Sequence, residues 1–290
     1  SEQPYAGVLF KSQNASTWTA NQNQDLTFKI NRARYTIGAT ADAVFKDGTG
    51  LSGDYKADVI QITPQEVRVD GTAIRWGIKL SDAGTGVIDT DYANIVQNTN
   101  YKFATQRVIK TTAGSYIAKA SLASTSDHIS PIIDTARNSI ITIENRVNNL
   151  STNEAAASGG DSLARYITRR VTLKDGFDAT DLTAHLTCNR QAGTSVKVYY
   201  KVLSQFDPDT FDNKIWTLMN ETSNSNSVSR SDDAVEYLEL EFNPSGTTAS
   251  YQVGAVTYAN FKVFAIKIVM NSASTTTVPL IKDLRVIALA

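Results

Sequence analysis

Phe261 to Met270 reads FKVFAIKIVM, and Val196 to Val202 reads VKVYYKV. The first stretch is apolar at nearly every position, with several β-branched residues. A strand covered on both faces has this composition. The second alternates: Val196, Val198, Tyr200 and Val202 share one face, and Lys197, Tyr199 and Lys201 the other. Moving outward, Leu182, Ala184, Leu186 and Cys188 alternate with polar positions, and Leu238, Leu240 and Phe242 alternate with Glu239 and Glu241. Tyr166–Leu173 reads as a further strand, Gln191-Ala-Gly-Thr as a turn, and Leu284, Val286 and Ala288 close the chain. About eight strands over residues 163–290 predict a jelly-roll-like β-sandwich.

Toward the N-terminus, Ser151–Ser162 reads STNEAAASGGDS. It is small, polar and contains Gly-Gly, so it predicts a linker at 151–162 that proteases cut. Residues 41–150 predict a second β-rich domain. Its signals are Val59–Ile62, Val67 and Val69, a turn at Asp70-Gly71, and Ile74, Trp76 and Ile78. Asp-Gly between alternating runs predicts a hairpin. Within Pro131–Leu150 a helical face competes with the β-branched run Ser139–Ile143, and the asparagines favour an extended segment. Residues 1–40 predict an extended N-terminal arm. It opens with Tyr5, Val8, Leu9 and Phe10, passes through Ser, Asn, Thr and Gln around Trp18, and ends with Leu26 and Phe28 alternating with polar residues. Such an arm has little core of its own, so Tyr5, Leu9, Phe10, Trp18, Leu26 and Phe28 are the candidate assembly-interface residues. The fold class expected is all-β: two β-sandwich-like domains and an extended arm.

Net charge is −1 over 290 residues, with Lys and Arg scattered. Nonspecific phosphate binding needs a basic face, so the expectation is no nucleic-acid partner. No apolar run approaches the ~18 residues of a membrane span. Cys188 is the one cysteine, which precludes an internal disulfide and fits assembly in a reducing cytoplasm. The chain opens Ser-Glu-Gln-Pro, as a processed product or a piece of something longer would.

Catalytic constellations are missing from the sequence. His128 and His185 lie far apart, and Cys188 has no flanking His or basic pair. No phosphate-binding glycine loop and no zinc spacing occurs. The expectation is therefore a protein that is not an enzyme and carries no cofactor. Asp175, Asp178 and Asp181 form one acidic loop, and Asp207, Asp209 and Asp212 another. Calcium takes oxygen ligands from such loops, but neither has the EF-hand spacing, and solvated turns are the favoured reading. Trp216, Tyr199, Tyr251 and Tyr258 are candidates for stacking on sugars, weighed against core or interface roles.

Four stretches carry a family resemblance. They are the arm phrases LFKSQNASTWT and DLTFKINRA, TPQEVRVDGTAIRWGIK from Thr63, SDHISPIIDTARNSIITIENRVNN from Ser126, and the run Leu163–Met219 with its Asp-Gly-Phe-Asp and Val-Tyr-Tyr-Lys-Val. Together they cover about half of the chain. The sequence resembles virion structural proteins, of baseplate or tail, from T4-like contractile-tailed bacteriophages, especially those of marine cyanobacteria. The resemblance implies a non-enzymatic virion component, assembled in the host cytoplasm, oligomeric, with other tail or baseplate proteins as partners. The alternative is a carbohydrate-binding or host-adhesion module, with a glycan as ligand.

Overall fold

A computed structural model describes residues 9–21, 23, 29, 31–46, 55–81, 87–109, 116–222, 236–246 and 248–290. Tyr5, Leu26 and Phe28 lie outside the described residues. The protein is all-β, with two 3-10 turns, Thr135–Arg137 and Phe211–Asn213, as its helical elements among the described residues. The strands fall into three groups. An N-terminal hairpin comprises β1 (Leu9–Lys11) and β2 (Thr19–Asn21). The next group is β3 (Thr40–Lys46), β4 (Tyr55–Thr63), β5 (Glu66–Val67), β6 (Thr72–Leu80), β7 (Ala93–Ile95), β8 (Tyr101–Ile109), β9 (Tyr116–Ser124), β10 (Ile132–Ile133) and β11 (Ser139–Ile143). The last is β12 (Ala164–Ile167), β13 (Val171–Thr172), β14 (Asp181–Asn189), β15 (Thr194–Leu203), β16 (Thr217–Leu218), β17 (Asn220–Glu221), β18 (Leu238–Asn243), β19 (Tyr251–Val253), β20 (Val256–Tyr258), β21 (Val263–Ser272) and β22 (Leu280–Leu289).

In the first sandwich a four-stranded sheet, β3-β9-β6-β7, faces a three-stranded sheet, β11-β4-β8. Alternation aims Ile74, Trp76, Ile78 and Leu80 of β6 at Ile60 and Ile62 of β4, and all are buried. Trp76 stacks on Phe45, and its indole N–H donates to Glu66, so its one polar group is satisfied. The Asp70-Gly71 turn forms, with Gly71 at φ 81 and Thr72 N–H bonded to Val69 O. It does not make the expected hairpin. β6 pairs with β9 and β7, whereas β5 pairs with β10, so the turn passes the chain between sheets. The Pro131–Leu150 stretch is extended apart from its one 3-10 turn, and β11 joins the edge of β4.

In the second sandwich β12-β21-β15-β16, with β13 also on β21, faces β17-β18-β14-β22. All neighbours are antiparallel, and the chain crosses between sheets repeatedly, as in a jelly roll. β15 and β21 pair over ten residues, Thr194↔Ser272 to Leu203↔Val263. Val196, Val198, Tyr200 and Val202 meet Leu182, Leu186, Leu240 and Phe242 in the core. Each large side chain buried there contributes roughly 1.5–3 kcal/mol.

β21 is covered on its other face as well, and the cover is residues 151–162. The flexible linker expected there is instead an ordered series of turns docked on the sheet. Glu154 is 2% exposed, and its carboxylate meets the fully buried Lys267 at 2.9 Å. The Glu154 carbonyl also accepts from the Lys267 ammonium, and its Oε1 accepts from Ser162 N–H. Trp216 N–H donates to Ala155 O, and Asn271 Nδ2 to Leu150 O. Beneath the cover Tyr199, Phe211, Trp216, Ala265 and Val269 form a second small core. The Lys267 ammonium stands 4.8 Å from the Tyr199 ring centre and 5.2 Å from that of Trp216. Two lysines in apolar strands need such a lid, because a buried ammonium must find acceptors and a counter-charge.

The two sandwiches are joined by polar contacts as well as by the chain. β4 is irregular between Ala57 and Val59, and the intervening Asp58 is fully buried. Bulges re-aim side chains. Here the carboxylate accepts from Asn145 N–H at 2.7 Å, from Thr275 Oγ1 at 2.6 Å and from Gln106 Nε2 at 3.2 Å. Thr275 belongs to the loop between β21 and β22. From the same loop Thr276 Oγ1 donates to Ala104 O, and Thr277 Oγ1 accepts from Lys102 Nζ of β8.

Candidate assembly surface

The arm folds back on itself instead of running extended through its described part. Leu9 pairs with Asn21, Phe10 with Ala20 and Lys11 with Thr19. The turn is local chemistry: Asn14 Oδ1 accepts from the N–H groups of Ser16 and Thr17, with Ala15 in the left-handed region at φ 59. Asn and Ser in this order favour such a turn over a helix. Trp18 directly precedes β2, one residue beyond the last register pair, Lys11↔Thr19. Phe10 is 56% exposed and Trp18 61%, while Leu9 is half-buried. Of the interface residues named from sequence, these three are therefore placed on one short hairpin. Downstream, the arm is tethered to the first sandwich by Arg34–Asp127 at 2.9 Å and by Tyr35 N–H to Asp127 O.

The groups weighed for chemistry are held apart. His128 is exposed beside Asp127, and His185 sits on β14 beside Glu239. Cys188 is fully buried, and burial pushes its thiol up to about 11. Such a thiol stays protonated near neutral pH and packs as a small core residue. Among the described residues no group of three His, Cys, Asp or Glu side chains is arranged to hold a metal.

The 207–212 loop has a cation of its own. Lys214 Nζ stands 2.7 Å from Asp207 and 2.8 Å from Asp209, where a calcium reading would put the metal. Tyr251 OH donates to Asp207 at 2.7 Å and accepts from Ser204 N–H. Asp212, the third carboxylate, stands outside this pair of contacts. In the other loop Asp175 is exposed near Lys262, Asp178 accepts from Gln205, and Asp181 caps Leu182 N–H. The ammonium of Lys214, with Asn213 and Thr210 N–H, holds Asp209 down at about 2. Burial pushes Asp207 up, but Lys214 and Tyr251 outweigh it and leave its value lowered. Burial, then Asp207, raises Tyr251 to about 12.

Both carboxylates have folded values below the unfolded value of about 3.9. Their contribution is therefore present above that pH and is lost as pH falls through the folded values, down to about 2 for Asp209. Thermal melts taken between pH ~5 and ~2 should decline less steeply in Asp207→Asn/Asp209→Asn than in the parent. Parallel declines would show that the cluster contributes nothing to acid sensitivity.

Of the aromatics considered for sugar stacking, Trp216 and Tyr199 are 4% and 6% exposed, under the 151–162 cover. Tyr251 and Tyr258 stack on each other at 5.1 Å between ring centres. Trp216 and Tyr199 are thus packing residues, whereas Tyr251 and Tyr258 stay partly exposed.

No protein-family model and no curated protein matches the chain. Among solved structures, the N-terminal CBM22-1-CBM22-2 tandem domain of Paenibacillus barcinonensis Xyn10C is similar at a TM-score of 0.23 and 10% identity. The match covers 87% of this chain and 92% of that one, and at that score it carries no functional argument. No helix among the described residues is long and apolar enough to cross a membrane.

Proposed function

We propose that this chain is a non-enzymatic structural component of a contractile bacteriophage tail, in its baseplate, acting through protein–protein assembly. The observation that carries the assembly reading is the Phe10–Trp18 pair. Two large aromatic side chains stand more than half exposed on one short hairpin. A hairpin this short is marginal alone in water, so it gains by lying on another surface. Covering each aromatic contributes roughly 1.5–3 kcal/mol, enough to offset part of the ~1–2 kcal/mol per residue that ordering the backbone costs. The placement in a phage tail rests on the sequence resemblance. The partners are other tail or baseplate proteins.

Deleting residues 1–34 and, separately, making Phe10→Ser/Trp18→Ser should leave far-UV circular dichroism and the melting of both sandwiches unchanged. Incorporation of either variant into tails should fail. Normal incorporation would refute the docking role of the arm.

A further inference from the structure

We propose that the outer face of the second sandwich binds a small acidic sugar, through its carboxylate, in a depression beside the 151–162 cover. The depression measures about 440 Å³, and Ser158, Arg170, Lys201, Phe211 and Trp216 contribute to its lining. Small-ligand sites begin at about this size, and it suits a single hexuronate better than a polymer. This inference is independent of the assembly role.

The face carries an excess of cations. Strand register puts Arg165, Lys197, Lys201 and Lys267 on the outer side of β12, β15 and β21, and Arg170 follows β12 with its guanidinium 5.9 Å from the Phe211 ring centre. Of these five cations, only Lys267 has a carboxylate within ion-pair distance among the described residues. Lys197 donates to Ser151 Oγ, and Arg165 to Gly160 O. Lys201 is 4% exposed, yet its acceptors are two carbonyls, Ala157 O at 3.2 Å and Asp212 O at 3.3 Å. Its ammonium also stands 4.9 Å from the Trp216 ring centre and 5.7 Å from that of Phe211, so its three N–H donors meet two carbonyls and two rings and no carboxylate. Arg170 is exposed, with its fork of donors suited to a carboxylate.

Opposing charge is limited. Asp212 also lines the depression; its charge opposes the lowering of the Lys201 pKa by burial, without an ion pair between them, leaving two cations against one carboxylate. The carboxylate of Glu154 is already spent on Lys267 and Ser162. The rings of Phe211 and Trp216 supply apolar wall, which favours a sugar ring over a bare inorganic ion. They are too buried to stack flat on a ligand, so recognition rests on charge.

The test is titration of the full chain with D-glucuronate, D-glucose and inorganic phosphate, followed by calorimetry and by amide chemical shifts. Glucuronate should bind saturably, with shifts confined to residues 157–159, 168–170 and 211–216. Arg170→Glu, at an exposed position, should keep the parent melting temperature and weaken glucuronate about tenfold or more, the loss expected for a charge-assisted hydrogen bond. Lys201→Met tests the buried donor, and its folding is checked by the same melt. Glucose binding as tightly as glucuronate, phosphate binding as tightly as glucuronate, or unchanged affinity in Arg170→Glu would each overturn the proposal.

Discussion

Replacing Glu154 with alanine should destabilise the second sandwich by about 3–5 kcal/mol, the usual cost of stranding one member of a buried ion pair. Lys267 has no exposure at all, and its ammonium would keep the main-chain carbonyl of residue 154 and the Tyr199 and Trp216 rings but no counter-charge. Burial already pulls the Lys267 pKa down, and the Glu154 carboxylate is what opposes that shift. Ser162 N–H would lose its acceptor too. For a domain of this size the melting temperature should fall by roughly 10 °C. The double variant Glu154→Gln/Lys267→Met should recover much of the loss, because replacing both charges removes the stranded one. Gly160→Ala approaches the same contact from the other side. A Cβ there would lie 2.2 Å from the Glu154 carboxylate, so the pair must shift. A Glu154→Ala change within about 0.5 kcal/mol of the parent, the range of ordinary surface substitutions, would show that the cover is not fastened by this pair.

Asp58→Ala should uncouple the two sandwiches. It removes the shared acceptor of Asn145 N–H, Thr275 Oγ1 and Gln106 Nε2 and leaves those donors facing each other in the junction. Hydrogen bonds to a charged group are worth about 1.5–3 kcal/mol each, and relaxation recovers part, so a loss of roughly 2–4 kcal/mol is expected. Calorimetry should separate one cooperative melt into two, and small-angle scattering should show a larger radius of gyration. Asp58→Asn keeps one acceptor oxygen and should fall between parent and alanine. A single, unshifted transition in Asp58→Ala would show that the junction is held elsewhere.

The strands were legible because their apolar positions repeat every two residues. The alternation at Val196–Val202 and the density of Phe261–Met270 place β15 and β21 at the centre of one sheet. Pairing across sheets was not legible, since a turn signal states where the chain bends and not which strand it rejoins. Asp70-Gly71 bends as expected and then delivers β6 to a different partner. The 151–162 cover was missed because Ala, Ser and Gly give no periodicity and Glu154 reads as solvated. A signal for it did exist. Lys267 interrupts the run FAIKIVM, and a lysine inside a strand covered on both faces demands a carboxylate from elsewhere in the chain. Lys214 was likewise present in the sequence, seven positions after Asp207, as the resident cation of that loop. At the assembly surface, sequence singled out Phe10 and Trp18 by composition. That they meet on one hairpin depends on the Asn14 turn, which composition does not reveal.

The cover also fixes an order of events during synthesis. Glu154 leaves the ribosome 113 residues ahead of Lys267, its partner. Every strand pair of the first sandwich closes within residues 40–143, so that unit can finish while translation continues. The second cannot. Its central strand β21 is nearly the last to be made, and β12, β13 and β15 must wait for it. Contacts so distant in sequence slow folding. The growing chain therefore carries Trp216, Tyr199 and the acidic turn at Glu154 unprotected until residues 263–272 emerge. The loop that reaches Asp58 follows them, so the two halves lock together only as the polypeptide is completed.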